Sequence, residues 1–405
     1  MIIPRGRGSL AFWYNGKHMK ILIASDLHWP TINGVATFSR TLARGLAARG
    51  HEVLVIAPSQ EGHAYKEIDG NHPVVRTKSV PFPFYQNFRI CLSPQKEVKQ
   101  IIEEFQPDVI HIQMLMAIGQ AAMKIGNKDG IPIVSTNHAM PENLMDNLKL
   151  LAPVAKPINY MLKEYGRRFH AKADCVTMPT QSAIDMFDAT EKLPIPLKAV
   201  SNGIDLSRFT DSQADSELYK RYHIPTDRPI ISYVGRLDAE KHLSVLLEAF
   251  ASIHKDTNAH LLIVGDGTDA ENLRRLAHDL HIVHSTTFTG RVSDEDIVAL
   301  HKVGTVFCMP SPAELQSIAT LEAMASGRPV VAVDAGALRE LCQNETNGYL
   351  CEQDNVEQIA RSLVKVVSDA DLQKKYGQAS LEIARTHDIE TTLDTFEAIY
   401  EDVSQ

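Results

Sequence analysis

Two glutamates eight positions apart, Glu314 and Glu322, are the residues whose types and spacing best suit chemistry. A strand-like apolar run ends at Pro310, and apolar residues recur at helical spacing after Ser317, which predicts a strand, a loop and a helix. Glu314 then lies in the loop, and Glu322 lies more than one turn into the helix. Carboxylates accept strong, directional hydrogen bonds from vicinal hydroxyls, so this pair suits a polyhydroxylated ligand.

The predicted helix start between the two glutamates is a candidate anion site. The first N–H groups of a helix have no partner within it, and they carry partial positive charge. We therefore expect the main-chain amides of Gln316, Ser317 and Ile318 to bind a phosphate, with one glutamate on each side. A nucleotide sugar has that layout, because hydroxyls flank its diphosphate at both ends.

The same stretch resembles a known family signature. With Pro312, Gly327 and Pro329 in step, the two glutamates resemble the E-x7-E motif of retaining GT-B glycosyltransferases of group 1, also called family 4. The resemblance extends from Met19 to the C-terminus. It implies that Glu314 contacts the donor sugar and that Glu322 holds the ribose. The spacing alone would also fit two ordinary glutamates on and beside an amphipathic helix.

A second candidate cluster follows the predicted strand that ends at Val234. Arg236 offers a planar fork for phosphate oxygens and Lys241 a mobile point charge, so the pair can offset the charge of a diphosphate. The segment resembles the family's G-R-L-x-x-x-K motif, with His242 where glycine is usual. Further on, the resemblance implies that the backbone around Val292 lies along the nucleobase.

The N-terminal half supplies two more candidates. Gly34 follows a predicted strand and could let a phosphate or sugar approach the backbone closely, although Asn33 replaces the first glycine of the family's pair. A plain tight turn is the alternative for Gly34. His138 closes another predicted strand, and the resemblance implies that it reaches the donor sugar. A purely structural histidine is the alternative there.

Strands and helices alternate along the chain, which predicts an α/β fold of two doubly wound parallel sheets. The resemblance implies GT-B architecture, with two Rossmann-like domains facing across a cleft. The predicted parts are an extension outside the fold (1–18), an acceptor-side domain (19–199), a nucleotide-sugar-binding domain (200–385), and a C-terminal helix packing back toward the N-terminal domain (386–405).

Composition excludes several classes of protein. No apolar run approaches the roughly 18 residues that span a bilayer, and residues 1–18 lack the apolar core of a signal peptide. We therefore expect a cytoplasmic location, with peripheral contact at the inner face of the cell membrane. The scattered cysteines indicate buried thiols rather than a disulfide frame or a zinc site: Cys91, Cys175, Cys308, Cys342 and Cys351.

Two patterns look like metal ligands but are better explained otherwise. The acidic run 294–296 follows Ser293, which predicts a capped helix start with an acidic first turn. His278, His281 and His284 do not keep to one helix face, since the helix is predicted to end near Leu280. We expect no catalytic metal and no cofactor, the nucleotide sugar being a co-substrate.

Charge gives the only indication of the acceptor. Residues 1–199 carry a net charge of +6, and the remainder carries −15, within a total of −9. The segment Asn147–Lys172 interleaves apolar residues with cations, which suits an anionic membrane surface beside a lipid acceptor. An ordinary helix pair with solvated lysines explains the segment equally well. Nothing in the sequence indicates a nucleic-acid partner.

The resemblance implies transfer of a hexose, with retained configuration, from a nucleotide-diphosphate sugar to a hydroxyl. By the resemblance, a UDP-sugar is favoured as the donor and GDP-mannose is an alternative. The acceptor is expected to be a membrane lipid such as diacylglycerol or a lipid-linked glycan, and a soluble saccharide or polysaccharide is the alternative. A nonhydrolysing sugar-nucleotide epimerase and a non-catalytic nucleotide-sugar-binding module are the other classes that such sheets could serve.

Overall fold

The computed structural model describes residues 18–31, 33–82, 88–138, 155–187, 193–210 and 215–405. Nearly all of the predicted N-terminal extension, 1–18, lies outside these residues. So does the first part, 147–154, of the predicted membrane-docking segment.

The first sheet has eight strands in the order β10-β9-β8-β7-β1-β2-β4-β3. The strands of the N-terminal half are β1 (Lys20–Ala24), β2 (Glu52–Pro58), β3 (Tyr65–Asp69), β4 (His72–Thr77), β5 (Val80–Pro81), β6 (Arg89–Ile90), β7 (Val109–Ile112), β8 (Ile133–Thr136), β9 (Cys175–Met178) and β10 (Leu197–Ala199). Strands β7, β1, β2 and β4 pair in parallel, whereas β3 adds an antiparallel edge and β5 pairs with β6 separately.

Five helices are described among these strands. They are α1 (Gly34–Ala48), α2 (Gln95–Phe105), α3 (Ala117–Asp129), α4 (Ala155–His170) and α5 (Gln181–Phe187). Helix α1 begins where the Asn33 side chain accepts a hydrogen bond from the Ala36 amide at 2.8 Å, which satisfies one of the first-turn donors. Its buried face repeats every fourth residue, at Phe38, Leu42 and Leu46, so hydrophobic burial holds it on the sheet.

The second sheet has six parallel strands in the order β13-β12-β11-β14-β15-β16. They are β11 (Ile230–Val234), β12 (His260–Val264), β13 (Thr286–Phe288), β14 (Val306–Met309), β15 (Val330–Val333) and β16 (Gly348–Cys351). The central strands β11 and β12 are buried along their whole length, since helices cover both faces of a parallel sheet.

The helices of this half vary in length from 4 to 16 residues. They are α6 (Ser207–Thr210), α7 (Ser216–Arg221), α8 (Leu243–Thr257), α9 (Ala270–Asp279), α10 (Asp294–Val303), α11 (Ile318–Ala325), α12 (Leu338–Leu341), α13 (Val356–Val367), α14 (Ala370–Arg385) and α15 (Ile389–Val403). A 3₁₀ turn, Ala239–Lys241, precedes α8. The prediction of two doubly wound parallel sheets is confirmed.

The chain divides into two compact units, residues 1–134 with 397–405, and residues 135–396. The first division falls inside β8, whereas the change from the first sheet to the second falls between Ala199 and Ile230. The last residues of the chain pack within the first unit, where the Glu397 carboxylate accepts from Arg49 at 2.6 Å and lies 2.9 Å from His51.

All five cysteines are buried thiols, as predicted. Across the described ranges, no helix combines the length and the apolar run that crossing a bilayer requires.

Candidate functional site

The loops at one edge of the second sheet carry most of the predicted site residues. Because its strands are all parallel, their carboxyl ends meet at the same edge, where ligands bind in open α/β sheets. Arg236 and Lys241 follow β11, Val292 follows β13, and the segment Glu314–Ile318 follows β14. The sequence-predicted donor site of this half therefore lies along a single edge.

Lys241 and Glu314 form an ion pair at the centre of this edge. The Lys241 Nζ lies 2.7 Å from Glu314 Oε1, and the two side chains are only 13% and 11% exposed. Nζ also lies 3.8 Å from Oε1 of Glu240, a residue that the sequence reading did not select. Shielding from water strengthens such a pair relative to a surface ion pair. Two positions 73 residues apart are thus in direct contact.

Arg236 joins the same network through Glu240. Its guanidinium donates to the carboxylates of Asp238 and Glu240 and is half exposed, with 49% of the side chain accessible. Asp238 in turn accepts from the Thr268 amide at 3.0 Å and from its hydroxyl at 2.9 Å, which ties the loop after β12 to the loop after β11. The exposed face of the Arg236 fork remains accessible to an anion.

Main-chain contacts fix the loop that carries Glu314. The Glu314 carbonyl accepts a hydrogen bond from the Ala337 amide at 3.1 Å. Gly336 has a φ of +46°, and a Cβ there would lie 2.6 Å from the same carbonyl oxygen, so only glycine allows this approach. The Thr180 hydroxyl donates to the Leu315 carbonyl at 3.0 Å. The position of Glu314 therefore depends on two other segments of the chain, one around Gly336 and one around Thr180.

Helix α11 begins with main-chain amides that have no hydrogen-bond acceptor among the described residues. Ser317 is its N-cap residue, without a side-chain cap bond. In the part of the chain that the structure describes, the amides of Gln316, Ser317 and Ile318 donate to no protein atom. The Gln316 side chain is used elsewhere, donating to Ser201 Oγ at 2.7 Å and accepting from the Asn202 amide at 2.8 Å. The helix start thus retains the donors that an anion needs.

Glu322 has a buried partner that sequence reasoning missed. Nε2 of His301, in α10, lies 3.2 Å from Glu322 Oε2, and the histidine is completely buried between the rings of Phe209 and Phe307. An ionised carboxylate only accepts, so Nε2 carries the proton. The glutamate itself is 20% exposed. No pattern in the sequence indicates this pair, because the two residues lie on different helices, 21 positions apart.

His138 lies just beyond the carboxyl end of β8, on the first sheet. Burial of the ring, with a smaller contribution from the nearby His170, lowers the pKa of His138 to about 3. At neutral pH the imidazole is therefore uncharged, and it can act toward a sugar as a hydrogen-bonding group rather than as a cation. His170 is held by Ser135, whose hydroxyl lies 3.0 Å from its Nδ1.

Gly34 is the first residue of α1, in the first unit. The helix begins at this residue because Asn33 caps it. A Cβ on Gly34 would meet no atom within 4 Å, so internal packing does not require glycine here. A requirement imposed by a ligand stays a prediction.

Val292 is half-buried and packs on the core of the second sheet. Just before it, the Gly290 carbonyl accepts from the Gly265 amide at 3.2 Å, which fixes the chain beyond β13 beside the chain beyond β12. A contact of this backbone with a nucleobase stays a prediction.

The capped helix start predicted at 293–296 is confirmed. The Ser293 hydroxyl accepts from the Asp296 amide at 3.1 Å, and the Asp296 carboxylate is held by Arg221 and Tyr222. Helix α9 ends at Asp279. The three histidines at its end and beyond it are all exposed, namely His278, His281 and His284.

Known families and proteins match most of this chain. The model described as Glycosyltransferase Family 4 matches residues 32–208, and the model described as Glycosyl transferases group 1 matches residues 215–382. The chain is 29% identical over 342 residues to GDP-mannose-dependent alpha-mannosyltransferase of Mycolicibacterium smegmatis, covering 84% of this chain and 86% of that protein. It is 26% identical over 357 residues to alpha-monoglucosyldiacylglycerol synthase of Streptococcus pneumoniae, covering 85% and 78%.

The fold is also that of solved structures. HepE of Anabaena, determined in complex with UDP and glucose, superposes with a TM-score of 0.73 at 20% identity, covering 95% of this chain and 100% of that chain. The matches in both halves, together with the two sheets and their order, give one conclusion. The chain belongs to the group 1, or family 4, glycosyltransferases of the GT-B fold, and it is a glycosyltransferase.

Proposed function

We propose that the protein transfers a hexose, with retention of configuration, from a nucleotide-diphosphate sugar to a hydroxyl acceptor. The observation that carries the proposal is the shielded pair of Lys241 and Glu314, 2.7 Å apart beside unpartnered helix amides. A UDP-sugar is the first donor to test, and GDP-mannose is the second, because one relative is named for GDP-mannose.

The geometry of the pair suits the bond that breaks. In a nucleotide sugar, the anomeric carbon and the leaving phosphate oxygen are joined directly. A cation and a carboxylate in contact can therefore serve the two ends of this bond, Lys241 toward the oxygen that gains negative charge and Glu314 toward the sugar that becomes cation-like. Arg236 and the amides at Ser317 would hold the rest of the diphosphate.

The proposed step needs no covalent enzyme intermediate. The acceptor hydroxyl approaches the anomeric carbon from the face that the diphosphate leaves, the carbon–oxygen bond to the diphosphate breaks, and a diphosphate oxygen accepts the hydroxyl proton. His138, uncharged at neutral pH, would orient the sugar by hydrogen bonding. Arg236 and Lys241 would carry the charge of the leaving group, so the proposal includes no catalytic metal.

The overall test is a donor screen followed by product detection. Thermal stabilisation by UDP-glucose, other UDP-hexoses and GDP-mannose would identify the donor, since a ligand that binds the folded state raises the melting temperature. Incubation with lipid and saccharide acceptors, with the anomeric configuration of the product read by NMR, would then test transfer and retention. Conversion of the donor without an acceptor would indicate an epimerase, and binding without turnover would indicate a sensor module.

A membrane lipid is the acceptor that we propose first. One relative is named as a synthase of a glucosylated diacylglycerol. In this chain, α4 exposes three large side chains, with Tyr160 74%, Met161 61% and Tyr165 45% accessible. Exposed aromatic and apolar groups beside cations suit insertion at a lipid interface. We call Tyr160, Met161 and Tyr165 the α4 surface.

An ion pair within α4 compensates part of its positive charge. Glu164 accepts from both Arg167, at 3.3 Å, and Arg168, at 2.5 Å, so one of these cations is compensated within the helix. The apolar α4 surface, rather than charge alone, should therefore make a substantial contribution to membrane binding.

We expect sedimentation with anionic liposomes to depend on the α4 surface. Replacing Tyr160, Met161 and Tyr165 by serine should lower the bound fraction several-fold, because each loses apolar area that lipid would cover. Changing Lys163 and Arg168 to glutamate should weaken binding further and reduce its dependence on salt. The matched control is Ile68→Ser, which removes a side chain that is 71% exposed on the β3 edge. A wild type that ignores liposomes and glycosylates a soluble sugar efficiently would contradict the lipid acceptor.

The ribose contact can be tested on Glu322 and on the histidine behind it. We expect Glu322→Ala to weaken UDP binding by about 1.5–3 kcal/mol, the usual effect of losing a charge-assisted hydrogen bond. His301→Gln should cause a smaller loss of about 0.5–1.5 kcal/mol, because it removes only the group that orients the carboxylate.

The control ligand is 2′,3′-dideoxy-UDP, which lacks both ribose hydroxyls. Both variants should bind it as weakly as the wild type does, because the carboxylate then has no hydroxyl to accept from. An equal loss for UDP and its dideoxy analogue would show that His301 and Glu322 act only on the stability of the site.

A further inference from the structure

Three side chains of metal-binding type meet beside the β3–β4 hairpin, which forms the outermost two strands on one side of the first sheet. His28 follows β1, Asp69 ends β3, and His72 begins β4. One ligand atom from each lies within 4.8 Å of the other two. The hairpin brings two of them together, since Asp69 and His72 are paired residues in the β3–β4 ladder.

The two histidines are buried but largely without hydrogen-bond partners. His28 is 2% exposed and His72 is 1% exposed. In the described structure, Nε2 of His28 and both ring nitrogens of His72 have no partner, while Nδ1 of His28 lies 3.3 Å from the Ser39 hydroxyl. A buried polar atom without a partner is costly, so this cluster calls for an occupant.

The Asp69 carboxylate can accept one more contact besides its hydrogen bonds from arginine. Arg40 donates to Oδ2 of Asp69 at 2.7 Å and to Oδ1 at 2.9 Å, and Arg44 also donates to Oδ1. A carboxylate offers about four lone-pair positions, which leaves one on Oδ2. The arginines orient the carboxylate as outer partners of metal ligands do, and their charge lowers the affinity for a cation without filling that position.

We propose that His28, Asp69 and His72 form a site for a zinc ion or a similar divalent transition metal. Two imidazoles and one carboxylate are ligands that zinc accepts, with one position left for water. Ligands around tetrahedral zinc lie about 3.4 Å apart, so small side-chain rotations close the present cluster around the ion. The metal ties the loop after β1 to the β3–β4 hairpin and takes no part in the chemistry at Lys241 and Glu314.

Zinc binding can be measured directly on the full chain. The protein is dialysed against a chelator, then titrated with Zn²⁺ by calorimetry, and the metal content is determined after gel filtration. We expect one zinc per chain. His28→Gln and His72→Gln should each weaken binding at least about tenfold, because each removes a ligand. His63→Gln and His278→Gln, with side chains 66% and 81% exposed, are the matched controls and should bind as the wild type does.

A second measurement does not depend on the variants folding. X-ray absorption at the zinc edge of the wild-type complex should show two imidazole ligands among nitrogen and oxygen neighbours at about 2.0–2.2 Å. Absence of stoichiometric zinc, fewer than two imidazoles, or unchanged binding in both ligand variants would overturn the site and leave ordered water as the occupant. None of these readouts depends on transferase activity, so the result stands apart from the proposed reaction.

Discussion

The Glu314→Ala variant is expected to turn over about 10²–10³-fold more slowly than the wild type while binding the free nucleoside diphosphate about as well. In the proposed reaction the carboxylate would stabilise a sugar that is cation-like only in the transition state, so its loss should lower kcat rather than nucleotide affinity. Removing it also releases Lys241 from its 2.7 Å contact, which leaves the cation available to the phosphates.

Steady-state kinetics with the donor from the screen, together with calorimetry using the nucleoside diphosphate alone, provide the measurement. Glu357→Ala is the matched control, because Glu357 is 86% exposed on α13. Its kcat should equal that of the wild type. If Glu314→Ala lost nucleotide affinity as strongly as turnover, the glutamate would be part of the nucleotide pocket and its assignment to the sugar would be wrong.

The second large effect is expected for Lys241→Ala, which should weaken nucleoside diphosphate binding by about 1.5–3 kcal/mol, or roughly 10–150-fold in Kd. The variant loses the cation that, in the proposed reaction, would offset the charge of the diphosphate. It also leaves the carboxylates of Glu314 and Glu240 uncompensated at the same place, where they repel an anion.

Calorimetric Kd values for UDP and GDP would test this result, with a thermal melt to establish that each variant is folded. Lys255→Ala, on the exposed face of α8, is the control and should bind like the wild type. Unchanged nucleotide affinity in Lys241→Ala would remove the lysine from the diphosphate site and, with it, the main support for the proposed chemistry.

Local sequence patterns predicted many strands and helix starts correctly, because the periodicity and the cap that mark an element lie within its own residues or directly beside them. The apolar runs of β11 and β12, each bounded by turn residues, predicted strands that the structure places at Ile230–Val234 and His260–Val264. The cap at Ser293 was likewise predictable, since a cap involves only neighbouring residues. The short antiparallel strand β3 was not predicted, because its half-buried positions carry Tyr65, Glu67 and Asp69, so apolar and polar residues do not alternate in its sequence.

The sequence by itself determined the two α/β sheets, the order of their strands along the chain, and the residue types available at the edge of the second sheet. Only the tertiary structure decided which of these residues touch. Lys241 contacts Glu314 and His301 contacts Glu322, each across tens of residues. On the first sheet, likewise, folding brings Asp69 within 4.8 Å of His28. Sequence spacing carries periodicity within one element, whereas contacts between elements depend on how helices and loops pack on the sheet. The residue pairs that would bind a ligand or act on it are therefore visible only in the folded chain.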